Sequence, residues 1–458
     1  MIEGRVKTIF IAVFEGVEAK NVLRTAVLST LLSDPSVYVR LFTKSHERVT
    51  YYRHEFPDKR ISFEVVGRPN SRGLDKIFAR LKFTLLRTKT TDLKRRMAYQ
   101  ESGNLAAFAL SFLASRIFAR PIVRRFVRFL DFILVRDDTY DAYFKNYRPA
   151  LVFLPHLFDE PEIGMLRAAK KFRVRSVGFV NSWDKATARA TMRLLPDKLI
   201  AFNDVVKREV IVHDEMKPED VFVGGLPQYD IYLSHQPVSR EKFFARYGFN
   251  PRKRLIVYAP MGAAFSDVDW QMMDIIRWLI TEGKIKNAEF LVRFQPNDFL
   301  DEAEIKKRPN LKYDYPGRRF GGKRGIDWDM DEKDLKHLVD TLYHVSLIIS
   351  YASSICIDAL AFDRPSLNIN FEPLGKRTIR KSPTQYYHTE HYENVLKTDG
   401  VTLASSEEDL VAKANMLLDN TKSGADGRSR LKAEQWHFTD GRSGERIGNF
   451  LLAQCKQL

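Results

Sequence analysis

Cysteine is nearly absent: the 458 residues contain two, Cys356 and Cys455. Two thiols supply neither a disulfide framework nor a cysteine-based metal site, and a reducing compartment is expected. Long apolar runs are missing as well. The longest, from Leu105 to Ala114, is about half of what a bilayer-spanning helix needs, so no transmembrane segment is expected. The apolar stretch within MIEGRVKTIFIAVFEG is short and is followed by charge rather than by a small-residue cleavage site, so it reads as a first strand and not as a signal peptide. Neither an internal repeat nor a low-complexity tract is present. What the chain does have is ordinary for a globular protein, with 44% hydrophobic and 29% charged residues, which excludes wholesale disorder. Its length exceeds what one core comfortably fills, and two domains are expected.

The formal net charge is +16. Much of it lies in one segment: from Arg72 to Arg136 there are fifteen Lys and Arg against four Asp and Glu. An anionic partner follows, whether nucleic acid, lipid headgroups or a negatively charged acceptor. In this segment Ile77, Leu81, Leu85 and Leu86, then Phe118, Ile122, Phe126, Phe129 and Ile133, recur at helical spacing, with Arg116, Arg120, Arg124, Arg125 and Arg128 flanking or opposing the second series. Two readings stand side by side. One is a helical pair packed on the domain with a solvated basic face, and the other is a helical excursion lying on an anionic membrane.

Outside that excursion, short β-branched and aromatic runs alternate with amphipathic stretches. Strands are expected at Val6–Phe14, Val37–Phe42, Ile61–Val66, Leu151–Leu154, Val174–Phe179, Lys198–Phe202 and Val221–Val223, with helices such as Ala19–Leu32, Glu162–Lys171 and Asp204–Met216. After a turn-rich stretch, Pro227–Arg240, the alternation resumes with strands at Leu255–Ala259, Glu289–Phe294, Leu347–Ser350 and Ser366–Ile369. Helices are expected at Asp269–Gly283, Asp331–Tyr343, Ser353–Phe362, Ser406–Leu418 and Gly444–Gln457. The expectation is an α/β chain of two doubly wound Rossmann-like domains, 1–235 and 236–458, facing a central cleft.

The strongest local signal is Leu347-Ile-Ile-Ser-Tyr-Ala-Ser-Ser-Ile-Cys-Ile-Asp358-Ala-Leu-Ala-Phe-Asp363-Arg-Pro365, which reads as strand, small polar turn and helix. Ser353 and Ser354 at such a helix start offer unpaired backbone donors to a phosphate, and ligands of open α/β sheets gather at that edge. Asp358, one turn on, could accept from ribose hydroxyls; equally, the serines could be plain N-caps and Asp358 an ordinary polar residue. The pattern S-S-x-x-x-D-A-x-x-x-D-R-P resembles the S/T-S/T-x-x-x-E-A-x-x-x-G-K-P element of glycosyltransferases with the GT-B fold. Asp197–Asp204, Val221–Asp230 and Leu255–Met261 are similar to neighbouring parts of that superfamily. Asp440-Gly-Arg-Ser-Gly-Glu-Arg-Ile447 resembles the D-G-K-x-x-E-R-I element of CDP-glycerol glycerophosphotransferase-like proteins. The resemblance covers about residues 150–450.

The resemblance implies site residues. Arg293-Phe-Gln-Pro296 sits where the glycerophosphotransferases carry R-x-H-P, so Arg293 and Gln295 are expected beside the donor phosphates, together with Met261 and Gly262 at the end of the first donor-domain strand. Trp183 matches the Trp of their W-H-G-T element and Asp184 replaces its His, the proposed base of that family. Asp184 is therefore the first candidate base here, with Glu15 and with Asp159, next to Glu160, as competing carboxylates at the same sheet edge. His388 and His391 are expected in a loop near the donor. The D-x-D pattern in Asp327-Trp-Asp-Met-Asp331 sits just before a helix, where acids are favourable anyway. No cofactor and no metal are expected.

Together these readings point to an inverting glycosyltransferase. It would move a sugar from a nucleotide-sugar donor to a cell-surface polysaccharide or lipid-linked acceptor, in the cytoplasm or peripherally at the inner face of the cell membrane. The alternatives are polyol-phosphate transfer from a CDP donor, which the C-terminal element favours and Asp184 and Gln295 disfavour, and a UDP-sugar 2-epimerase. A non-catalytic nucleic-acid binder is the remaining class; the chain lacks basic stretches interleaved with aromatics in a recognised module, and no nucleic acid is expected.

Overall fold

The computed structural model describes residues 6–67, 73–321, 328–375 and 377–455. The expectations that touch Arg72, Asp327 and Gln457 therefore lie partly outside the described residues. Among the described residues, fifteen strands form the sheets. The first seven are β1 (Lys7–Ala12), β2 (Val37–Thr43), β3 (Ile61–Val65), β4 (Leu151–Leu154), β5 (Ser176–Val180), β6 (Lys198–Ala201) and β7 (Val221–Val223). They pair in the order β3-β2-β1-β4-β5-β6-β7, all parallel. Then follow β8 (Arg254–Ala259), β9 (Ala288–Arg293), β10 (Tyr313–Asp314), β11 (Arg318–Arg319), β12 (Trp328–Asp329), β13 (Leu347–Ser350), β14 (Ser366–Ile369) and β15 (Thr402–Ala404). Of these, β10-β9-β8-β13-β14-β15 form a second parallel sheet, and β11 and β12 a small antiparallel pair. Every residue of β4, β5, β13 and β14 is buried, as strands covered by helices on both faces require.

The chain divides into two compact units, each Rossmann-like. Unit 1 comprises residues 1–95, 104–230 and 436–458, and unit 2 comprises 96–103 and 231–435. Against the expected division at 235, residues 96–103, assigned by sequence to the first domain, group with the second, and the segment from Trp436 onward, assigned to the second, groups with the first. There the Ser443–Cys455 helix lies on the Ala26–Ser33 helix so closely that a Cβ on Gly448 would stand 2.5 Å from Thr30 Cβ, and one on Gly444 2.9 Å from the Ala26 nitrogen. Asp230 accepts from the Ser443 and Gly444 amides at 3.1 and 2.7 Å and so caps this helix. The Asp440–Ile447 element is, at this level, a docking device.

Other departures are local. The expected Ala19–Leu32 helix is broken into Gly16–Val22 and Ala26–Ser33, because Thr25 adopts extended backbone and its hydroxyl accepts from the Val27 amide as a new N-cap. The expected Ser353–Phe362 helix is a single α-turn, Ile355–Asp358, followed by a tighter 3-10 turn, Ala359–Phe362. His388 ends a 3-10 segment and His391 lies in the Glu390–Leu396 helix, not in a loop. Strands β10 and β15 and the Ala425–Trp436 helix carry too short or too polar a pattern to have been foreseen.

The basic excursion holds four helices, Leu74–Thr84, Lys89–Ser102, Leu105–Phe118 and Pro121–Leu134. The reading in which the last of these packs its apolar series on the domain and solvates its arginines is inverted by the structure. Arg124, Asp131 and most of Arg128 are buried, whereas Ile122, Phe126, Phe129 and Ile133 are exposed. Arg124 and Arg128 both bind Glu215, at 2.6 Å each through Nε and Nη1, and Asp131 accepts from Arg167 at 2.6 Å and from Arg193 at 2.7 Å. Three of its charges face in and hydrocarbon faces out, while Arg120 and Arg125 stay exposed.

Candidate functional site

In unit 1 the sequence of strands reverses direction between β1 and β4, so the loops leaving β1, β4 and β5 emerge side by side at the topological switch point, where open α/β sheets bind ligands. Glu15 and Glu18 follow β1, His156 and Asp159 follow β4, and Asn181, Ser182, Asp184 and Lys185 follow β5. The three carboxylates singled out from sequence therefore share one edge. Glu15 is half-buried and stands as N-cap of the Gly16–Val22 helix, and the buried Glu18 accepts from the Phe14 and Glu15 amides at 2.5 and 2.9 Å. Asp159 is gripped by Arg189, whose Nη2 reaches its two oxygens at 2.8 and 2.9 Å, and by His156 Nε2 at 3.1 Å. Lys185 Nζ donates to His156 Nδ1 at 2.7 Å, which assigns the ring proton to Nε2. Asp184 accepts from Ser182 Oγ at 2.5 Å and is N-cap of the short Lys185–Ala188 helix.

The electrostatics follow from packing like charges around one half-buried ammonium. Burial pushes the Glu18 carboxyl up to about 7, and the nearby Glu15 charge adds to the shift. Burial raises Glu15 too, against the pull of Lys185. Buried Glu162, on the Glu160–Lys171 helix, is raised further by burial and by the charges of Glu18 and Asp159, and its Oε2 has no hydrogen-bond partner among the described residues. Burial lowers Lys185, while Glu15, Glu18, Asp184 and Asp159 pull it back up. Burial and the Lys185 charge hold His156 down at about 4, so its ring is neutral. Asp159 alone stays well below the usual carboxylate range: burial opposes this, but His156 and Arg189 prevail. Asn181, buried beside them in sequence, has both side-chain amide atoms without a partner among the described residues. A half-exposed carboxylate with an elevated pKa, backed by a second that holds a proton near neutrality, is suited to accept a proton from a bound hydroxyl.

In unit 2 the corresponding switch point lies between β8 and β13. Ser353 is half-buried, and Ser354 is exposed where the chain leaves β13. Ser353 Oγ accepts from the Ile355 amide at 3.4 Å, and Ser354 makes no side-chain cap. Asp358 accepts from Tyr232 Oη at 3.0 Å. After β8, the amides of Met261 and Gly262 both donate to buried Asp269, at 3.1 and 2.8 Å, and Gln295 donates to the Pro260 and Met261 carbonyls at 3.1 and 2.9 Å. Arg293 is buried and donates to Asp314 at 3.1 Å, which also takes Tyr247 and His337. The backbone and side-chain donors of these four residues are thus turned to the protein, and a phosphate reaching them would compete with internal partners. Glu372, beyond β14, is a feature sequence reasoning passed over. It accepts from Ser382, Thr384 and Arg377, and these outweigh burial to keep its carboxyl below the usual range. In the D-x-D pattern, Asp331 caps the Glu332–His344 helix and Asp329 Oδ1 accepts from the Met330 amide.

His156, Glu18, Glu162 and Lys185 were also missed. The available signal was position: each follows a strand, or the first turn after one, that belongs to the same switch point, but only the strand order shows that the strands are neighbours.

No model of a known protein family matches the sequence, and no curated protein matches it. Solved structures do. A UDP-GlcNAc 2-epimerase from Neisseria meningitidis, bound to UDP-GlcNAc, is 11% identical, with 97% of this chain and 100% of that chain covered and a TM-score of 0.55. A putative UDP-N-acetylglucosamine 2-epimerase from Listeria monocytogenes is 12% identical, covering 99% of this chain and 96% of that one at a TM-score of 0.52. The wall teichoic acid polymerase TagF, soaked with CDPG, is 11% identical, with 99% and 90% covered and a TM-score of 0.51. At such identities the likeness is one of architecture, and what it establishes is that this chain has a fold of the GT-B type, built from two Rossmann-like α/β units.

Proposed function

We propose that the protein is a glycosyltransferase that moves a sugar, with inversion, from a nucleotide-sugar donor to a hydroxyl of a polysaccharide or lipid-linked acceptor. The observation that carries this reading is the carboxylate cluster of unit 1, in which Glu15 combines a raised pKa with a half-exposed position. Glu15 takes the proton of the attacking hydroxyl; Asp184, across the same edge, is the alternative base. Support for a nucleotide-linked donor comes from the open serine turn after β13 and from the ligands named for proteins of like fold, UDP-GlcNAc and CDPG. The departing diphosphate is met by the amides and hydroxyls of Ser353 and Ser354. The reaction as proposed assigns no role to a metal ion, since Asp329 and Asp331 are committed to backbone amides.

Thermal-shift measurements with UDP, CDP, GDP and CMP and their sugars identify the donor, because a ligand of the native state raises the melting temperature. With that donor, Glu15→Gln is expected to lower kcat by about 10²–10⁴-fold, the usual share of a general base, and to leave donor affinity unchanged. If Asp184→Asn has that effect and Glu15→Gln has none, the proton goes to Asp184. If neither lowers kcat, the cluster is not the base. Product analysis separates the reactions: an epimerised sugar nucleotide, formed without acceptor, would replace transfer by 2-epimerisation.

A further inference from the structure

We propose that unit 1 seats itself on an anionic lipid bilayer through the Leu105–Phe118 and Pro121–Leu134 helices, with lipid phosphates held in a basic groove beside the second. This stands whatever reaction the carboxylate cluster performs. The first helix, LAAFALSFLASRIF, has one fully buried residue, Ser115, and leaves Leu110 71% exposed. The second exposes Ile122 by 74% and Phe126 by 59% while Arg124, Asp131 and most of Arg128 face the protein and Arg125 stays exposed. Hydrocarbon exposed along two consecutive helices, on a chain that elsewhere buries its core, calls for a partner that is itself apolar. A solvated helix has the opposite orientation: helices that face water turn charge outward.

Geometry and charge select the bilayer surface among apolar partners. Each helix has 14 residues, about 21 Å at 1.5 Å per residue, short of the ~30 Å hydrocarbon core, and the pair is bent by 94°. Among the described residues no single helix is long and apolar enough to cross a membrane. Two helices this short, with so sharp a bend between them, suit one leaflet. Against the Pro121–Leu134 helix opens a groove of about 770 Å³ lined by Arg125, Arg128, Phe129, Lys170, Arg173 and Arg175, among others. Arg128 is spent on Glu215 and Asp214, but Arg125, Lys170 and Arg173 have no carboxylate partner among the described residues. Unpaired cations at the rim of an apolar face match phosphate above hydrocarbon, the layering of a leaflet containing acidic lipid.

Flotation of the full chain tests this with vesicles of phosphatidylcholine alone and of phosphatidylcholine with phosphatidylglycerol. Binding is expected to the mixed vesicles only. The variant Arg125→Gln/Lys170→Gln/Arg173→Gln is expected to lose about a hundredfold in partition coefficient, from roughly one order-of-magnitude step per one to two cations. Ile122→Ser/Phe126→Ser/Phe129→Ser is expected to abolish binding that survives added salt, with an unchanged melting temperature because these side chains are exposed. The proposal is overturned by three results. One is absence of flotation with both vesicles, or equal flotation with both. Another is a melting shift with inorganic phosphate that the Gln variant abolishes while no vesicle is bound, which makes the groove a soluble-anion site. The third is a dimer of the wild-type chain that the Ser variant dissolves, which makes the face a contact between copies.

Discussion

At the carboxyl end of β1, Glu18 titrates near 7 where an unfolded chain gives 4.5. An acid with a raised folded pKa holds its proton more tightly folded than unfolded, so its contribution to stability is present at low pH and is lost as pH rises from 4.5 through 7. His156 works the other way: held at about 4 instead of 6.5, it favours the fold above pH 6.5, and that contribution fades as pH falls toward 4. Between the two ordinary values the slopes oppose each other. Glu18→Gln keeps an acceptor for the Phe14 and Glu15 amides and removes only the titration. On passing from pH 4.5 to 8, wild type is therefore expected to lose about 3 kcal/mol relative to this variant, at 1.36 kcal/mol per pKa unit, in urea unfolding at a series of pH values. Parallel curves for the two proteins would show that Glu18 titrates normally. Of this cluster, Glu15, Asp159 and Asp184 were legible as polar residues just past buried strands. The shifts of Glu15 and Asp159 were not, because these arise from side chains that β1, β4 and β5 bring together across more than a hundred residues of sequence.

Among the elements, the Pro121–Leu134 helix shows where pattern reading runs out. Its periodicity was plain, but a helix with a strong apolar face and a strong basic face does not state which one the protein keeps. The decision rests with counter-charges remote in sequence: Glu215 and Asp214 for the arginines, Arg167 and Arg193 for Asp131. Asp131→Ala leaves two buried guanidiniums without their shared carboxylate, and a loss of about 3–5 kcal/mol is expected, read as a lowered urea midpoint. A change within about 0.5 kcal/mol, the range of ordinary surface substitutions, would mean that these ions are not what holds the helix. The turn after β13 makes the complementary point. The strand was read to the residue, while the helix expected after it shrank to one α-turn, Ile355–Asp358, continued by a 3-10 turn that ends where Asp363 takes left-handed backbone.

For the molecule as a whole, the alternation of strand and helix was enough to give two doubly wound α/β domains, since fully buried strands and amphipathic helices of crossover length leave few other arrangements. The strand orders, and with them the switch points that gather each site, required pairing between distant segments. So did the return of the Ser443–Cys455 helix to unit 1, which composition does not signal. Gly448→Leu places a branched side chain where Thr30 already stands at 2.5 Å from the Cβ position, and overpacking of this kind costs about 1–3 kcal/mol. The expected result is selective: protease cleavage within residues 6–95 speeds up, while cuts within 231–435 keep their wild-type rate. Uniform acceleration would show that the two units do not unfold independently.

The order of synthesis gives that returning helix a further meaning. Domains generally fold as units while the chain is still emerging, at roughly 5–20 residues per second. Unit 2, nearly all of it one uninterrupted run, has its full complement of residues once Gln435 has left the ribosome. Unit 1 begins earlier and finishes later: seven strands wait with the surface of the Ala26–Ser33 helix bare until Cys455 is free. The nascent protein therefore passes through an interval with its second unit complete and its first still open at the Ala26–Ser33 helix.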